Sequence, residues 1–583
     1  LALLLARVSP LSGIGMTSTS SDSNVICRFT ENNIVVQAPF TELDALRSVP
    51  GLSWSKPNKA WQGDITPSLA QSLLTTFNGR LLCNDVPRLK ALAELYGETA
   101  YLRSLGSDLP DVPNTRLAPW PHQKLEYWAM VNQPALLAYL GLGTGKTAPV
   151  VWYVENCPNT RSRVLVACPL SVVQVWPAEF AKHAAVPAVV WHKGDDYPHS
   201  GSILICPLDK GSVEQKNKAV LEACKYGGTV VIVCNYESCW REPLAHTLHS
   251  LQLNLLVMDE GHKLQSPGSR VSKYFHQLGK TVAKRVALTG TPAPNGPLTV
   301  YGLYRALDSG VFGTSFNAFR DKYAIMGGYQ DHQVMGYKNV EEYNRRFYSI
   351  AIHADRSVLT LPPATTVQRT AALSPSAMKI YRSLEKDLVA RIENGTVTAK
   401  NGLVKLLRLS QLTGGWLTPD EDVFNEDAVP QRVDAEKQKL LADVLDDLPR
   451  DEPVVVFYRF TADARSIADV CKEQGRAYAE LSGQRNELKE WQKDGQVIAV
   501  QIATGGLGVD LTRAAYCIYY SVGYSLSEHE QSLARVHRPG QERAVTYVQL
   551  IMQGTVDEKV YAALEQKKNV VEMVLKEMSR DKG

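Results

Sequence analysis

Two series of short, almost unbroken apolar runs constrain this chain more than any other feature. The first comprises residues 136–139, 164–168, 230–234, 253–258 and 286–288, and the second 454–457, 497–502, 517–520 and 545–551. A strand with one face in water alternates apolar and polar residues; these runs do not alternate, so both faces of each strand must be covered. Helical patterns lie between them, and strands joined through crossover helices build parallel sheets. Two α/β domains with parallel sheets are therefore expected, and 583 residues leave room for more at about 100–200 residues per domain.

The rest of the chain divides around those lobes. Residues 1–23 are read as a leader outside the fold, with Met16 as the natural start. Residues 24–112 read as a small α+β module: a hairpin around Glu31, Asn32 and Asn33, a helix over 41–47, and an amphipathic segment over 67–77. A Pro-rich stretch over 109–121 closes it. The first lobe is expected over 113–312 and a mostly helical insertion over 313–428, with Ile380, Leu384, Leu388 and Ile392 on one helical face. The second lobe is expected over 429–583, ending in an amphipathic helix over 556–578 that packs through Val560, Leu564, Val571 and Leu575.

Composition excludes several classes. Hydrophobic residues at 44% and charged residues at 21% rule out wholesale disorder, and no apolar run reaches the roughly 18 residues of a membrane helix. A net charge of +3 confines any nucleic-acid surface to a local groove. The ten cysteines show neither a CxxC pair nor zinc spacing and read as buried thiols of a reducing, cytoplasmic compartment.

Chemistry is concentrated in a few loops that follow the apolar runs. GLGTGKT (141–147) leaves the run 136–139: its glycines let backbone N–H groups face phosphates, Lys146 can reach the β/γ-phosphates, and the Thr147 hydroxyl can ligate Mg²⁺. Leu140 stands where the usual motif begins with a small residue. Asp259 and Glu260 follow the run 253–258, where a carboxylate can hold Mg²⁺ and its neighbour can orient the attacking water. Thr289, Gly290, Thr291 and Pro292 follow the next run. Gln531, Arg535 and Arg538 lie in a helix-like segment near the end, and arginines so placed can face the leaving γ-phosphate.

In that order, these motifs resemble the SNF2 family of superfamily 2 helicase-like ATPases over roughly 117–568. The resemblance rests on Trp120-Pro-His-Gln123, GLGTGKT, CPLSVVQVW from Cys168, Asn235-Tyr-Glu237, DEGHKLQSPGS from Asp259, LTGTPAPN from Leu288, LLRLSQLTGG from Leu406, ATGGLGVDLT from Ala503 and, most specifically, QSLARVHRPGQ from Gln531. Two departures stand out: Leu140-Gly141 replaces the family's Asp-Glu, and Tyr524-Ser525-Leu526 replaces its Trp-Asn-Pro.

The resemblance implies two RecA-like lobes and an ATP-driven, Mg²⁺-dependent translocase that tracks along one strand of double-stranded or forked DNA. It implies ATP contacts at Gln123, Gly143, Thr144, Gly145, Lys146, Thr147, Gly508 and Asp510, with Thr147 and Asp259 on the metal. Catalytic roles fall to Lys146, Asp259, Glu260, Arg535 and Arg538. DNA contacts fall to Ser171, Asn235, Lys263, Thr291, Ser482, Thr504 and Gly505. The compact layout resembles bacterial and bacteriophage members, and a monomer on DNA, in the host cytoplasm if phage-encoded, is expected.

The amino-terminal module resembles the HARP-type domain of annealing helicases, in which Trp54 and Trp61 would stack on exposed bases. Both tryptophans could equally be core, or one could be each. Three other readings use the same residues: a motor that displaces bound proteins such as a stalled polymerase, a DNA-binding scaffold with a degenerate ATPase, and an RNA helicase. The intact Lys146, Asp259 and Glu260 oppose the scaffold, and the RVHRPGQ ending opposes the RNA reading.

Overall fold

The computed structural model describes residues 25–157, 161–293, 296–327, 333–393, 399–417, 430–502 and 509–566. The expected leader, residues 418–429, the side chain of Ile392, and Thr504, Gly505, Gly508, Val571 and Leu575 lie outside the described residues. The chain forms two compact units, residues 1–356 and 357–583.

The first unit is built on eight strands, in the order Ala351–Ala354, Ala135–Leu140, Lys284–Thr289, Leu255–Asp259, Arg163–Cys168, Val230–Asn235, Ile203–Leu208 and Ala188–Val190. Every neighbouring pair is parallel. Alternate residues of each strand enter separate cores on the two faces. Leu137, Leu256 and Met258 pack into one, and Leu136, Leu255 and Val257 into the other. That two-sided burial is why the runs are unbroken.

The second unit repeats the arrangement with six parallel strands, ordered Ala364–Ala371, Val545–Met552, Tyr516–Tyr519, Val454–Tyr458, Val497–Gln501 and Tyr478–Leu481. Val455 and Phe457 face one core, and Val454 and Val456 face the other. The helix Val556–Glu565 packs back through Val560 and Leu564. A buried ion pair ties it to its unit: Lys437 Nζ lies 2.7 Å from Asp557, whose other oxygen accepts from the Thr413 hydroxyl.

Residues 313–428, expected as one helical insertion, contribute to both units. Ala351–Ala354 forms the edge of the first sheet and Ala364–Ala371 the edge of the second. A two-stranded hairpin, Ala324–Gly327 with Gln333–Tyr337, accompanies the helices. Tyr524, one of the family departures, is buried: its hydroxyl donates to Leu406 O at 2.8 Å and lies 2.7 Å from Ser410 Oγ. Its role is to pin the helix Ala399–Thr413 inside the second unit.

The amino-terminal module is a five-stranded sheet in the order Ser53–Ser55, Ala60–Asp64, Asn33–Gln37, Val25–Phe29 and Leu81–Cys83, with a core of its own. Within the first unit it docks on the helices beside the eight-stranded sheet through polar groups. Ser68 Oγ donates to Asp308 at 2.5 Å, Ser309 Oγ donates to Asp64 at 2.6 Å, and Lys280 Nζ lies 3.1 Å from Asp64. Backbones come close here: a Cβ at Gly310 would lie 2.9 Å from Leu69 N. Beyond the module sheet, Leu102 and Leu109 already belong to a core of the first unit.

Candidate nucleotide-binding site

The phosphate loop leaves the strand Ala135–Leu140 and enters the helix Ala148–Glu155. Gly143 and Gly145 have φ of +84° and +73°, a region that residues with a Cβ rarely enter. The loop is braced from inside and from the side. The buried Thr144 hydroxyl donates to Gly141 O at 2.6 Å. From the helix Pro121–Asn132, His122 Nε2 donates to Thr144 O at 2.7 Å and Gln123 Nε2 to Gly145 O at 3.0 Å.

The Leu140-Gly141 departure has a packing explanation. Leu140 is 1% exposed and completes a core. A Cβ at Gly141 would lie 3.1 Å from Arg356 N and 3.3 Å from Asp355 C, so a side chain there would press on that backbone. Gln123, expected among the ATP contacts, is 5% exposed and already engaged at both ends of its amide, since its Oε1 accepts from Trp120 N at 3.0 Å. It holds the loop in this structure, and contact with a base would require exchanging those bonds.

Asp259 and Glu260 sit at the end of the strand Leu255–Asp259, one strand away from the strand Lys284–Thr289 and two from the strand that feeds the phosphate loop. Strand spacing puts that separation at about 10 Å. Asp259 is buried and oriented: Trp176 Nε1 donates to its Oδ2 at 3.1 Å, Glu260 N to its Oδ1 at 2.9 Å, and the Tyr236 hydroxyl to its carbonyl at 2.8 Å. Burial raises its carboxyl to about 6; the Glu260 charge adds to this, while the Lys146 ammonium and the two hydrogen bonds oppose it. Two carboxylates held this close in a dry site suit a cation. Among the described residues no cluster of three or more His, Cys, Asp or Glu could hold a metal alone. Asp259 and Thr147 are the residues that would hold Mg²⁺ here, where its charge would be offered to phosphate oxygens.

Glu260 lies at φ +50°, in the left-handed region, which is uncommon for a residue with a Cβ. Its Oε2 is 3.3 Å from His262 Nδ1, and the same nitrogen is 3.3 Å from Thr289 Oγ1, which accepts from Thr291 N. The acidic pair and the Thr289–Thr291 loop therefore form one polar chain across neighbouring strand ends. Gly290 completes the contact, because a Cβ there would lie 3.3 Å from Leu142 of the phosphate loop.

One residue went unseen in the sequence reading. Glu126 is fully buried three residues beyond Gln123, and neither carboxyl oxygen has a hydrogen-bond partner among the described residues. Burial pushes this carboxyl well above its ordinary range, and the nearby Lys146 ammonium pulls the other way. The folded state therefore disfavours ionisation: below the ordinary carboxyl range only the desolvation of the unpaired neutral group remains, and a further ionisation penalty grows as pH rises above that range. Glu126→Met is expected to raise stability by about 1–3 kcal/mol at pH 8 and by less at pH 5, measured by denaturant titration at both pH values.

The remaining expected contacts are placed as follows. Ser171 is half-buried in the turn Leu170–Val172, and Lys263 is exposed in the turn Gly261–Leu264. Asn235 is buried, with its Oδ1 accepting from Lys216 Nζ at 3.1 Å and its Nδ2 donating to Glu237 at 3.1 Å. In the second unit the Ser482 hydroxyl accepts from Gln484 N and Arg485 N, and Asp510 Oδ1 accepts from the backbone and hydroxyl of Thr512. Arg535 occupies the last turn of the helix Leu526–Val536. Arg538 lies beyond its end, its guanidinium 3.5 Å from Val509 O, so the two do not share one helix. Trp54 and Trp61 face each other across the module hairpin, with ring centroids 6.0 Å apart. Trp61 packs on the module core and Trp54 is 51% exposed.

A phosphate loop and an acidic pair at the carboxyl ends of a parallel sheet, with a second parallel-sheet unit following, define a nucleoside-triphosphate-binding protein of the helicase-like class. The chain belongs to the SNF2 family: the SNF2-related domain matches residues 119–413 and the helicase conserved C-terminal domain residues 436–540. It is 24% identical over 479 residues to the DNA repair and recombination protein RAD54B of Gallus gallus, covering 72% of this chain and 49% of that protein. It is also 24% identical over 485 residues to the uncharacterized ATP-dependent helicase YqhH of Bacillus subtilis, covering 79% of this chain and 80% of that one. The SWI2/SNF2 ATPase core of Sulfolobus solfataricus, solved in complex with dsDNA, aligns over 81% of this chain and 96% of its own, with 20% identity and a TM-score of 0.36. The chain spans about half the length of RAD54B and 42% of a chromodomain-helicase-DNA-binding protein 1-like relative. No helix among the described residues is long and apolar enough to cross a membrane.

Proposed function

We propose that this protein is a DNA-stimulated ATPase that translocates on double-stranded DNA and remodels or reanneals forks and repair intermediates. The observation that supports this most directly is the polar chain joining Glu260, His262 and Thr289 beside the phosphate loop, in a chain of the SNF2 family. Backbone N–H groups of 143–147 and the Lys146 ammonium take the β/γ-phosphates. Glu260 orients the attacking water and accepts its proton, and His262 fixes the Glu260 carboxylate. Mg²⁺, held by Thr147 and Asp259, would neutralise charge on the phosphates. Arg535 and Arg538 are proposed to face the γ-phosphate during turnover. The test is steady-state ATPase activity with no nucleic acid, single-stranded DNA, duplex, fork and RNA at fixed salt. Stimulation by duplex or fork is expected; stimulation by RNA alone, or no hydrolysis at all, would reject the reading.

The module is proposed to recognise exposed bases through Trp54, which is accessible, while Trp61 supports it from below. Trp54→Ala takes away a half-exposed ring that rests edge-on against Trp61, so a modest fall in melting temperature is expected and binding is compared well below it. Affinity for a forked duplex should fall by roughly 5- to 150-fold, the range of about 1–3 kcal/mol for one stacked base, with blunt-duplex affinity unchanged. Equal fork affinity in the variant would assign Trp54 no recognition role.

A further inference from the structure

Two of the ten cysteines lie opposite each other in the amino-terminal module. The strands Val25–Phe29 and Leu81–Cys83 pair in parallel, with Cys27 in register with Cys83. In-register neighbours on adjacent strands point to the same face, and both side chains pack into the module core. The register is pinned on both sides of the pair. Val25 N donates to Arg80 O at 3.0 Å, Asn84 N to Cys27 O at 3.2 Å, and Phe29 N to Asn84 Oδ1 at 2.9 Å. Strand spacing then sets the two Cα atoms about 5 Å apart, inside the range of about 4.4–6.8 Å that a disulfide spans.

The two thiols differ in access. Cys27 is fully buried, whereas Cys83 is partly exposed on the edge strand of the sheet, its Sγ 3.9 Å from Asn84 Oδ1. Burial and the Cys83 thiol that it faces push the Cys27 thiol well above its ordinary range, so Cys27 is a poor first nucleophile and Cys83 is the group that a reagent meets. Access sets this pair apart from Cys234 and Cys239, whose thiols also meet but lie fully buried in a core of the eight-stranded sheet.

We propose that Cys27 and Cys83 form a reversible disulfide, with Cys83 as the entry point and Cys27 as the resolving thiol. A small disulfide, of which oxidised glutathione is the cellular form, supplies the oxidising equivalents. The Cys83 sulfur gives up its proton and attacks one glutathione sulfur, and the other leaves as a thiolate that is then protonated. The Cys27 sulfur gives up its proton in turn, attacks Cys83 in the mixed disulfide and displaces the remaining glutathione. Two protein thiols are thus oxidised while one disulfide is reduced to two thiols. The new bond closes a loop over residues 27–83, which carries Trp54, Trp61 and the docking residues Asp64 and Ser68. In-register Cβ atoms of parallel neighbours sit near the strand spacing of about 4.8 Å, beyond the usual disulfide range of about 3.5–4.5 Å, so the bond is strained and readily reduced. A reducing compartment therefore keeps the dithiol, and an oxidising shift closes it. The pair is independent of what the motor acts on.

The experiment incubates the folded full chain with glutathione at a series of oxidised-to-reduced ratios, quenches with acid, blocks the free thiols and maps the cysteines by non-reducing digestion and mass spectrometry. Free thiols should fall by about two per chain from ten, with Cys27 and Cys83 recovered as one linked peptide pair that dithiothreitol separates. Closure should quicken between about pH 7 and about pH 8.5, because the buried Cys27 must ionise to resolve the mixed disulfide. Cys27→Ser should stop with glutathione on Cys83. Cys83→Ser, which alters only a partly exposed side chain and so preserves the fold, should leave Cys27 reduced. Glutathione retained on Cys83 in the wild type without the linked pair overturns the proposal, as do two reduced cysteines at the most oxidising ratio or equal modification of Cys27 in Cys83→Ser.

Discussion

Glu260→Gln should lower ATP turnover by about 10²–10⁴-fold while nucleotide binding stays within a few-fold of wild type. The substitution keeps the shape of the side chain and an oxygen that can face His262 Nδ1, 3.3 Å away in the wild type. What it removes is the negative charge that polarises the attacking water and the site that receives its proton. Asp259 keeps its bonds from Trp176 and from the Glu260 backbone N–H, because neither involves the altered side chain. Losing the neighbouring charge should lower the Asp259 carboxyl from about 6, since Glu260 is the second cause of its rise after burial. The metal-side carboxylate would then ionise more completely, and ATP should be retained and turned over slowly on DNA. Single-turnover hydrolysis beside equilibrium binding of an ATP analogue separates the two quantities. Turnover at the wild-type rate would remove Glu260 from the water-positioning role.

How much of this was legible depends on how local each signal is. The strands buried on both faces announced themselves, because every residue from Val454 to Tyr458 must be apolar to satisfy two cores. The strand Ile203–Leu208 is equally buried yet contains Pro207, which usually disqualifies a central strand. Proline is tolerated here because the neighbouring strand pairs only as far as Ile205, leaving an open edge beyond it. The strand Ala364–Ala371 reads as polar because it is a mostly exposed edge. Both sheets were therefore foreseen with too few strands, and the segment over 313–428 seemed more separate than it is.

The site shows the same division. GLGTGKT and Asp259-Glu260 are contiguous in sequence and could be read directly. The braces are not: Trp176 reaches Asp259 across 83 residues, and His122 reaches Thr144 across 22. Glu126 offered one usable signal, since a glutamate three positions after Gln123 shares its helical face, but nothing local says that this face is sealed from water. The two departures from the family pattern are also packing facts. Gly141 lies against the backbone of 355–356 and Tyr524 fills a core, so each departure has a packing role.

Lys146→Ala should abolish measurable turnover, with a loss of about 10²–10³-fold or more, because it deletes the one side-chain cation of the loop that meets the phosphates whose charge changes during transfer. The substitution should not collapse the loop, which is held by Thr144, His122 and Gln123 rather than by the lysine. It should nevertheless change stability in a pH-dependent way. The Lys146 ammonium is the attraction that partly offsets the burial of the Glu126 carboxyl. Without it, ionising Glu126 becomes costlier, so Lys146→Ala should destabilise more at pH 8 than at pH 5, where the carboxyl is closer to neutral in both states. Adding Glu126→Met should erase that difference without restoring turnover. A double-mutant cycle read by denaturant titration at both pH values isolates the coupling. Equal stability losses at pH 5 and pH 8 in Lys146→Ala would show that the two side chains do not interact. Turnover in the double variant would show that the lysine acts on Glu126 and not on phosphate.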